Sequence, residues 1–160
     1  MVKLSETALK FLNLGIAAEL NAYVFYKKVL KMLKEEELLK IVEKFAYDEK
    51  DHFLQLENEY DKNVRSEMWA PYKDIMRKQG LPDIDEYISE THKDLLTKIK
   101  QLKTKRDIFE MALSLEKEAF ALYDESCNKV QEPEAKKIFD HLRNFEMGHV
   151  RTVERALKNL

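Results

Sequence analysis

A set of glutamate, tyrosine and histidine residues recurs in this sequence at an interval of 97 positions, and this repeat constrains the fold more than any other feature. A shift of 97 superposes several pairs of identical residues, among them Glu19 and Glu116, Ala22 and Ala119, Tyr26 and Tyr123, Ile41 and Ile138, Glu49 and Glu146, His52 and His149, and Glu57 and Glu154. A repeat within 160 residues indicates two copies of one structural unit. We therefore predict two equivalent halves that pack against each other.

Each copy has the apolar spacing of two amphipathic helices. Predicted helix 1 begins at Ser5 and reaches about Lys34, and helix 2 follows the acidic residues 35–37. Helix 3 begins near Thr104, and helix 4 begins at Pro133, a residue suited to a first helical turn. Only three glycines and three prolines interrupt the chain, so composition also favours helix. The prediction is an all-α four-helix bundle built from two helical hairpins.

We predict that residues 1–160 form a single domain with three parts. Hairpin 1 covers residues 5–61, a long crossover covers residues 62–103, and hairpin 2 covers residues 104–160. Parts of the crossover have helical patterning of their own. A long connection of this kind between helices 2 and 3 is typical of bundles in which the crossover packs against the helices.

The glutamates and histidines of the repeat are expected to meet in the centre of the bundle. Glu19 and Glu49 are equally distant from the predicted turn at residue 34, and the glutamates of hairpin 2 are equally distant from residue 131. Antiparallel helices that fold back at these points bring the two glutamates of each hairpin level with one another. A spacing of three residues also places His52 beside Glu49 on one helical face. The predicted cluster is Glu19, Glu49, His52, Glu116, Glu146 and His149.

This grouping of residue types indicates a dinuclear metal site. Four carboxylates alone in a protein core would repel one another and bind protons, whereas two divalent cations would neutralise them. One Glu from each of two helices, with Glu-x-x-His from each of the other two, is the ligand set of di-iron and di-manganese carboxylate bundles. The only cysteine is Cys127, which excludes cysteine-rich zinc and iron–sulfur sites. The ligand types leave iron and manganese as alternatives, including a mixed-metal site.

Two tyrosines of the repeat are candidates for a supporting role at this site. Tyr26 and Tyr123 lie two helical turns beyond Glu19 and Glu116, on the same helical faces. One interpretation is that their hydroxyl groups hydrogen-bond the metal-binding carboxylates. The other is that each is a core aromatic residue whose hydroxyl group is satisfied elsewhere.

Charge and hydropathy exclude other classes of function. The net charge of −2, from 28 basic and 30 acidic residues, gives no electrostatic case for binding nucleic acid or an anionic membrane. The sequence has neither a signal-peptide pattern nor an apolar run that approaches a membrane span. We therefore expect a soluble, cytoplasmic protein.

Four stretches resemble the ligand helices of the rubrerythrin-like branch of the ferritin-like superfamily, and the resemblance spans nearly the whole chain. These stretches are AAELNAYVFY, FAYDEKDH, LSLEKEAFALYDE and LRNFEMGH. The resemblance implies a ferritin-like bundle with two iron ions per chain, which react with hydrogen peroxide or dioxygen. It gives Glu49 and Glu146 bridging roles between the metals, and it gives the other four ligands terminal positions. It also makes a homodimer the expected assembly.

Two features depart from the pattern of that family. A full rubrerythrin carries a four-cysteine, rubredoxin-like domain that delivers electrons, which a sequence with one cysteine cannot form. We therefore expect an external electron-donor protein such as a rubredoxin. Rubrerythrin also has an additional Glu three residues after its third-helix ligand. Here that position is Ala119, and Glu118 is one residue away from it, so the redox-dependent iron shift of the family is not expected to transfer unchanged.

The leading functional hypothesis is a di-iron oxidoreductase that reduces hydrogen peroxide or dioxygen with electrons from the external donor, in defence against oxidative stress. One alternative is iron binding or storage, with the centre acting as a ferroxidase-type entry site in a large cage. A further alternative is a di-iron hydroxylase of an organic substrate. A metal-free structural bundle is the remaining alternative, and it leaves the inward-facing Glu and His residues unexplained.

Overall fold

The computed structural model describes residues 4–64, 69–84 and 92–160, and within these residues the chain forms helices and no strands. The helices are α1 (Glu6–Val29), α2 (Glu36–Asn63), α3 (Ala70–Met76), α4 (Lys93–Lys100), α5 (Lys105–Lys129) and α6 (Pro133–Lys158). The most extensive packing joins α1 to α2 and α5 to α6, while α1 also packs against α5. The predicted all-α, ferritin-like bundle of two hairpins is confirmed.

Local side-chain chemistry explains where the long helices begin. Ser5 Oγ accepts a hydrogen bond from the amide of Ala8 at 3.1 Å and caps α1. Thr104 and Asp107 form a reciprocal capping box at the start of α5, with bonds of 3.0 and 3.1 Å. Pro133 lies in the first turn of α6, where its missing N–H carries no cost. These three starts agree with the sequence prediction.

Helix α1 ends at Val29, before the predicted end near Lys34. The last turn tightens into bonds from Lys31 N to Lys28 O and from Met32 N to Val29 O, at 3.3 and 3.0 Å. This tight turn leaves room for α2 to begin as a separate helix at the acidic stretch. The turn has neither Gly nor Pro, so the sequence does not predict that α1 ends as early as Val29.

Side chains of hairpin 1 hold part of the crossover against the bundle. Lys50 Nζ donates a hydrogen bond to the carbonyl oxygen of Gly80 at 2.7 Å, and Lys27 Nζ donates to that of Leu81. Tyr23 donates its hydroxyl hydrogen to the carbonyl oxygen of Pro82 at 2.5 Å. Gly80 has a φ of 78°, a conformation that favours glycine at this turn. Parts of the predicted crossover, residues 65–68 and 85–91, lie outside the described residues.

A glycine of α1 leaves room for a tyrosine of α5. A Cβ atom added at Gly15 would lie 3.2 Å from Tyr123 Cε1 and 3.0 Å from Leu56 Cδ1, and both of these side chains are fully buried. We expect Gly15→Ala to cost about 1–3 kcal/mol through overpacking. This cost exceeds the gain of about 1 kcal/mol in helix propensity. Denaturant unfolding of the metal-free protein should therefore show a net loss of stability.

Gly148→Ala is the matched control for this prediction. Among the described residues, no atom outside its own helix comes within 4 Å of an added Cβ, and the position is exposed on α6. The control should gain about 0.5–1 kcal/mol because alanine loses less backbone entropy than glycine. Stabilisation of similar size by both substitutions would contradict the close approach at Gly15.

None of the described helices combines the length and the apolar character needed to cross a bilayer.

Candidate metal centre

The structure brings all six predicted ligand side chains into one buried cluster between the four long helices. The two helices that contribute a single Glu are α1 and α5, and the two that contribute Glu-x-x-His are α2 and α6. None of the six residues is more than 4% exposed. They face inward because a spacing of three residues keeps Glu and His on the same side of a helix.

The cluster divides into two groups of four ligand residues. Within each group, one ligand atom per residue lies within 4.8 Å of the others. The His52 group contains Glu19, Glu49, His52 and Glu146. The His149 group contains Glu49, Glu116, Glu146 and His149. Glu49 and Glu146 belong to both groups, which is the arrangement that two bridging carboxylates require.

Both imidazole rings direct Nδ1 towards the carboxylates. His149 Nδ1 lies 3.1 Å from Glu49 Oε1, 3.2 Å from Glu116 Oε2 and 3.3 Å from Glu146 Oε2. His52 Nδ1 lies 3.5 Å from Glu146 Oε1. Each group therefore offers three carboxylates and one imidazole nitrogen around a common point.

The hydrogen-bonding state of these atoms fits two divalent cations. Several ligand atoms are buried without a hydrogen-bond partner in the described part of the chain, namely Glu19 Oε2, His52 Nδ1 and both oxygens of Glu49 and of Glu146. A buried polar group left unsatisfied costs about 1–3 kcal/mol, and more if it is charged. Carboxylate and imidazole donors suit divalent iron and manganese. Metal coordination would therefore satisfy atoms that the protein itself leaves unpaired.

Crowding of the carboxylates makes the metal-free centre bind protons. Burial, together with repulsion from Glu146, Glu19 and Glu116, raises the pKa of Glu49 well above its usual range. Burial alone would lower the pKa of His52, but the charges of Glu19 and Glu146 raise it to about 10. Burial would likewise raise the pKa of Glu19, but the neighbouring Glu49 carboxyl group and the charge of His52 lower it to about 2. Metal uptake must displace the protons held here, so rising pH favours it.

Tyr26 and Tyr123 each reach the glutamate of the opposite hairpin. The hydroxyl group of Tyr123 donates to Glu19 Oε1 at 2.6 Å, and that of Tyr26 donates to Glu116 Oε1. Burial and the neighbouring carboxylates raise the pKa of both phenols well above the ordinary value, which keeps the hydroxyl groups protonated as donors. Each tyrosine occupies one oxygen of its carboxylate and leaves the other oxygen available to a metal.

Asp48 is a residue of this site that the sequence interpretation missed. Its Oδ2 atom lies 3.0 Å from His149 Nε2 and accepts a hydrogen bond from Lys44 Nζ at 2.7 Å. The ring of Phe45 stacks on that of His149, with a centroid distance of 4.0 Å. A signal for Asp48 does exist in the sequence, because the repeat places the apolar Phe145 at the corresponding position.

Glu57 is a second buried carboxylate that the sequence interpretation did not explain. It is 1% exposed, and neither of its oxygens has a hydrogen bond in the described part of the chain. Lys73 Nζ of the crossover lies 3.5 Å from Glu57 Oε2. Burial raises the pKa of Glu57, although the charge of Lys73 opposes the rise. Its repeat partner Glu154 is exposed, so the two halves differ here as well.

The structure shows what occupies the positions at which the sequence departs from the family pattern. Ala119 is 8% exposed and carries no ligand atom, while Glu118 is exposed and points away from the cluster. The cluster therefore has four carboxylates and two imidazoles, with no further carboxylate on this turn of α5. Cys127 is 5% exposed, as expected for a small apolar core residue.

Comparisons with known proteins agree with this architecture. The family model described as Rubrerythrin matches residues 10–157. A hypothetical protein from Pyrococcus furiosus is similar in structure, with a TM-score of 0.66 and 23% identity over 94% of this chain and 88% of that one. A DUF305 fragment from Deinococcus radiodurans has a TM-score of 0.70 and 13% identity over 99% and 100% of the two chains. At these identities the similarity shows the fold alone. No curated protein matches the sequence.

Proposed function

The chain belongs to the rubrerythrin family, and from this premise we propose that it is a di-iron enzyme that reduces hydrogen peroxide with electrons from an external donor protein. The observation that carries the proposal is the pair of buried donor groups that share Glu49 and Glu146. Dioxygen is the alternative oxidant. The cellular role would be defence against oxidative stress, in the cytoplasm.

Glu19, Glu49, His52 and Glu146 would hold one iron ion, and Glu49, Glu116, Glu146 and His149 would hold the other. Two iron ions bound there would supply two electrons through oxidation from Fe(II) to Fe(III). Reduction of one peroxide molecule to two water molecules consumes these two electrons and two protons. The external donor then restores both electrons.

The residues of the chain supply orientation and access for this reaction. Tyr26 and Tyr123 fix two of the carboxylates by hydrogen bonds from the opposite hairpin. Peroxide would enter beside His149, which lines a solvent-open cavity of about 420 Å³ between α2 and α6, together with Phe45 and Phe145. A cavity of this size admits hydrogen peroxide, whereas burial of the other ligands keeps bulk water from the centre.

Single-turnover oxidation of the anaerobically loaded protein tests the proposal. The protein with two equivalents of Fe(II) is mixed with hydrogen peroxide or with dioxygen, and oxidised iron and residual peroxide are followed by stopped-flow absorbance. We expect one peroxide consumed for every two Fe(II) ions oxidised, at a higher rate than with dioxygen. Faster oxidation by dioxygen, with peroxide released as a product, would overturn the proposal and favour a ferroxidase-type protein. A solution mass of a large cage would support that same alternative.

A further inference from the structure

The two histidines of the centre have different partners on their outer sides. His149 Nε2 lies 3.0 Å from Asp48 Oδ2. The repeat places Phe145 where the other half would need an equivalent carboxylate, and the edge of His52 meets that ring at a centroid distance of 4.5 Å and an angle of 87°. Within the described residues, His52 has no carboxylate partner at Nε2. The six ligands therefore follow the repeat, whereas the residues that contact the outer sides of the two histidines do not.

This difference matters because the hydrogen bond at the second ring nitrogen fixes the orientation and the tautomer of a metal-binding imidazole. When Asp48 accepts the hydrogen of His149 Nε2, the tautomer is fixed with a free lone pair on Nδ1, and the carboxylate makes that nitrogen a stronger donor. An aromatic ring cannot accept an N–H hydrogen bond in this way with comparable strength. Loss of such a partner typically costs about 10–100-fold in metal affinity.

The distances from Nδ1 to the carboxylate oxygens are also shorter in the His149 group than in the His52 group. His149 Nδ1 has three carboxylate oxygens between 3.1 and 3.3 Å, whereas His52 Nδ1 has two, at 3.5 and 3.6 Å. The His149 ring is also held by Phe45, which stacks on it at 4.0 Å. His149 borders the solvent-open cavity between α2 and α6, so this half of the centre adjoins solvent.

We propose that the two metal positions are inequivalent, that the position at His149 fills first and more tightly, and that Asp48 is the positioning residue responsible. This inference rests on the proposed dinuclear site. A chain with one equivalent of metal is then a single species with its ion at His149, and the second ion completes the centre at His52.

Anaerobic titration with Co(II) tests the inference without oxidation chemistry. Calorimetry and visible absorption of the parent should give two binding steps that differ at least about tenfold in affinity. Asp48→Leu removes the hydrogen-bond acceptor, so it should weaken binding at the His149 position by about 10–100-fold. The first step should then weaken until the two steps coincide or their order reverses. Asp48→Asn keeps a neutral acceptor, so its metal affinity at the His149 position should lie between those of the parent and of the Asp48→Leu variant. Asp51→Asn is the control, because Asp51 is exposed on the same helix and is paired with Gln55.

Imidazole ¹⁵N spectra identify the position that fills first. One equivalent of Zn(II) should shift the His149 resonances and leave those of His52 unchanged, and a merely structural role for Asp48 would not produce this selectivity. A parent protein that binds no metal would refute the dinuclear site itself. If the parent bound two ions with equal affinity, the inequivalence would be refuted but the dinuclear site would not. The same would follow if the first binding step of the Asp48→Leu variant were unchanged. If the Leu variant does not fold, Asp48→Asn and the parent spectra decide the question.

Discussion

Replacing Glu49 with glutamine is expected to abolish metal binding at both positions, while the metal-free protein remains at least as stable as the parent. The loss is double because the Glu49 carboxylate, like that of Glu146, belongs to both donor groups, whereas each of the other four ligands belongs to one. The stability should not fall because burial and the other three glutamates raise the pKa of Glu49, which shows that its charge is unfavourable without metal. A neutral amide of the same size removes that repulsion.

The measurement is iron content after anaerobic loading with Fe(II) and desalting. The parent should retain about two iron ions per chain, and the Glu49→Gln variant should retain almost none. Glu43→Gln is the matched control, because Glu43 is exposed on the same helix and should keep the full complement. A Glu49 variant that still holds two ions would refute the shared carboxylate. A fall in the unfolding temperature of the metal-free variant would refute the electrostatic argument.

Divalent metal is expected to raise the unfolding temperature of the parent by roughly 10 °C or more. Metal at about 1,000 times its dissociation constant stabilises the folded state by about 4 kcal/mol for each site. For a chain of this size, each kcal/mol shifts the unfolding temperature by about 2–4 °C. The physical source of the effect is the set of buried carboxylate oxygens that have no hydrogen bonds among the described residues and that repel one another without a cation.

Differential scanning calorimetry under anaerobic conditions, with Fe(II) or Mn(II) and with a chelator, measures this shift. The Glu49→Gln variant provides the control, because it should unfold at the same temperature with metal and with chelator. If metal and chelator gave the same unfolding temperature for the parent, the cluster would not be a metal site. A shift of equal size in the parent and in the variant would mean that the ions act elsewhere on the surface.

The parts of the fold that depend on local chemistry could be predicted from the sequence. Ser5, Thr104 and Pro133 each act within one helical turn, and each begins a helix as predicted. The end of α1 at Val29 could not be predicted, because the tight turn that follows depends on how α2 packs back on α1. The sequence places no residue there that stops a helix by itself.

The same distinction applies to the candidate site. The inward orientation of Glu49 and His52 follows from their spacing on one helix, and the repeat supplies their counterparts. The partner of Tyr26 does not follow, since the tyrosine shares a face with Glu19 but bonds Glu116 across the bundle. Which carboxylate a phenol reaches depends on the distance and tilt between helices. In the sequence, Asp48 resembles the other charged residues on the solvent-exposed face of its helix. The only sign of a role at the site is that the corresponding residue of the repeat, Phe145, is apolar.

The crossed tyrosines also make each hairpin depend on the other. Each hairpin supplies the phenol that holds a carboxylate of the other, so neither hairpin contains a complete set of parts. A single hairpin could complete such a centre only by associating with a second copy of itself. Having both hairpins in one chain removes the need for that encounter. It also allows the two halves to differ, as Asp48 and Phe145 do at corresponding positions of the repeat.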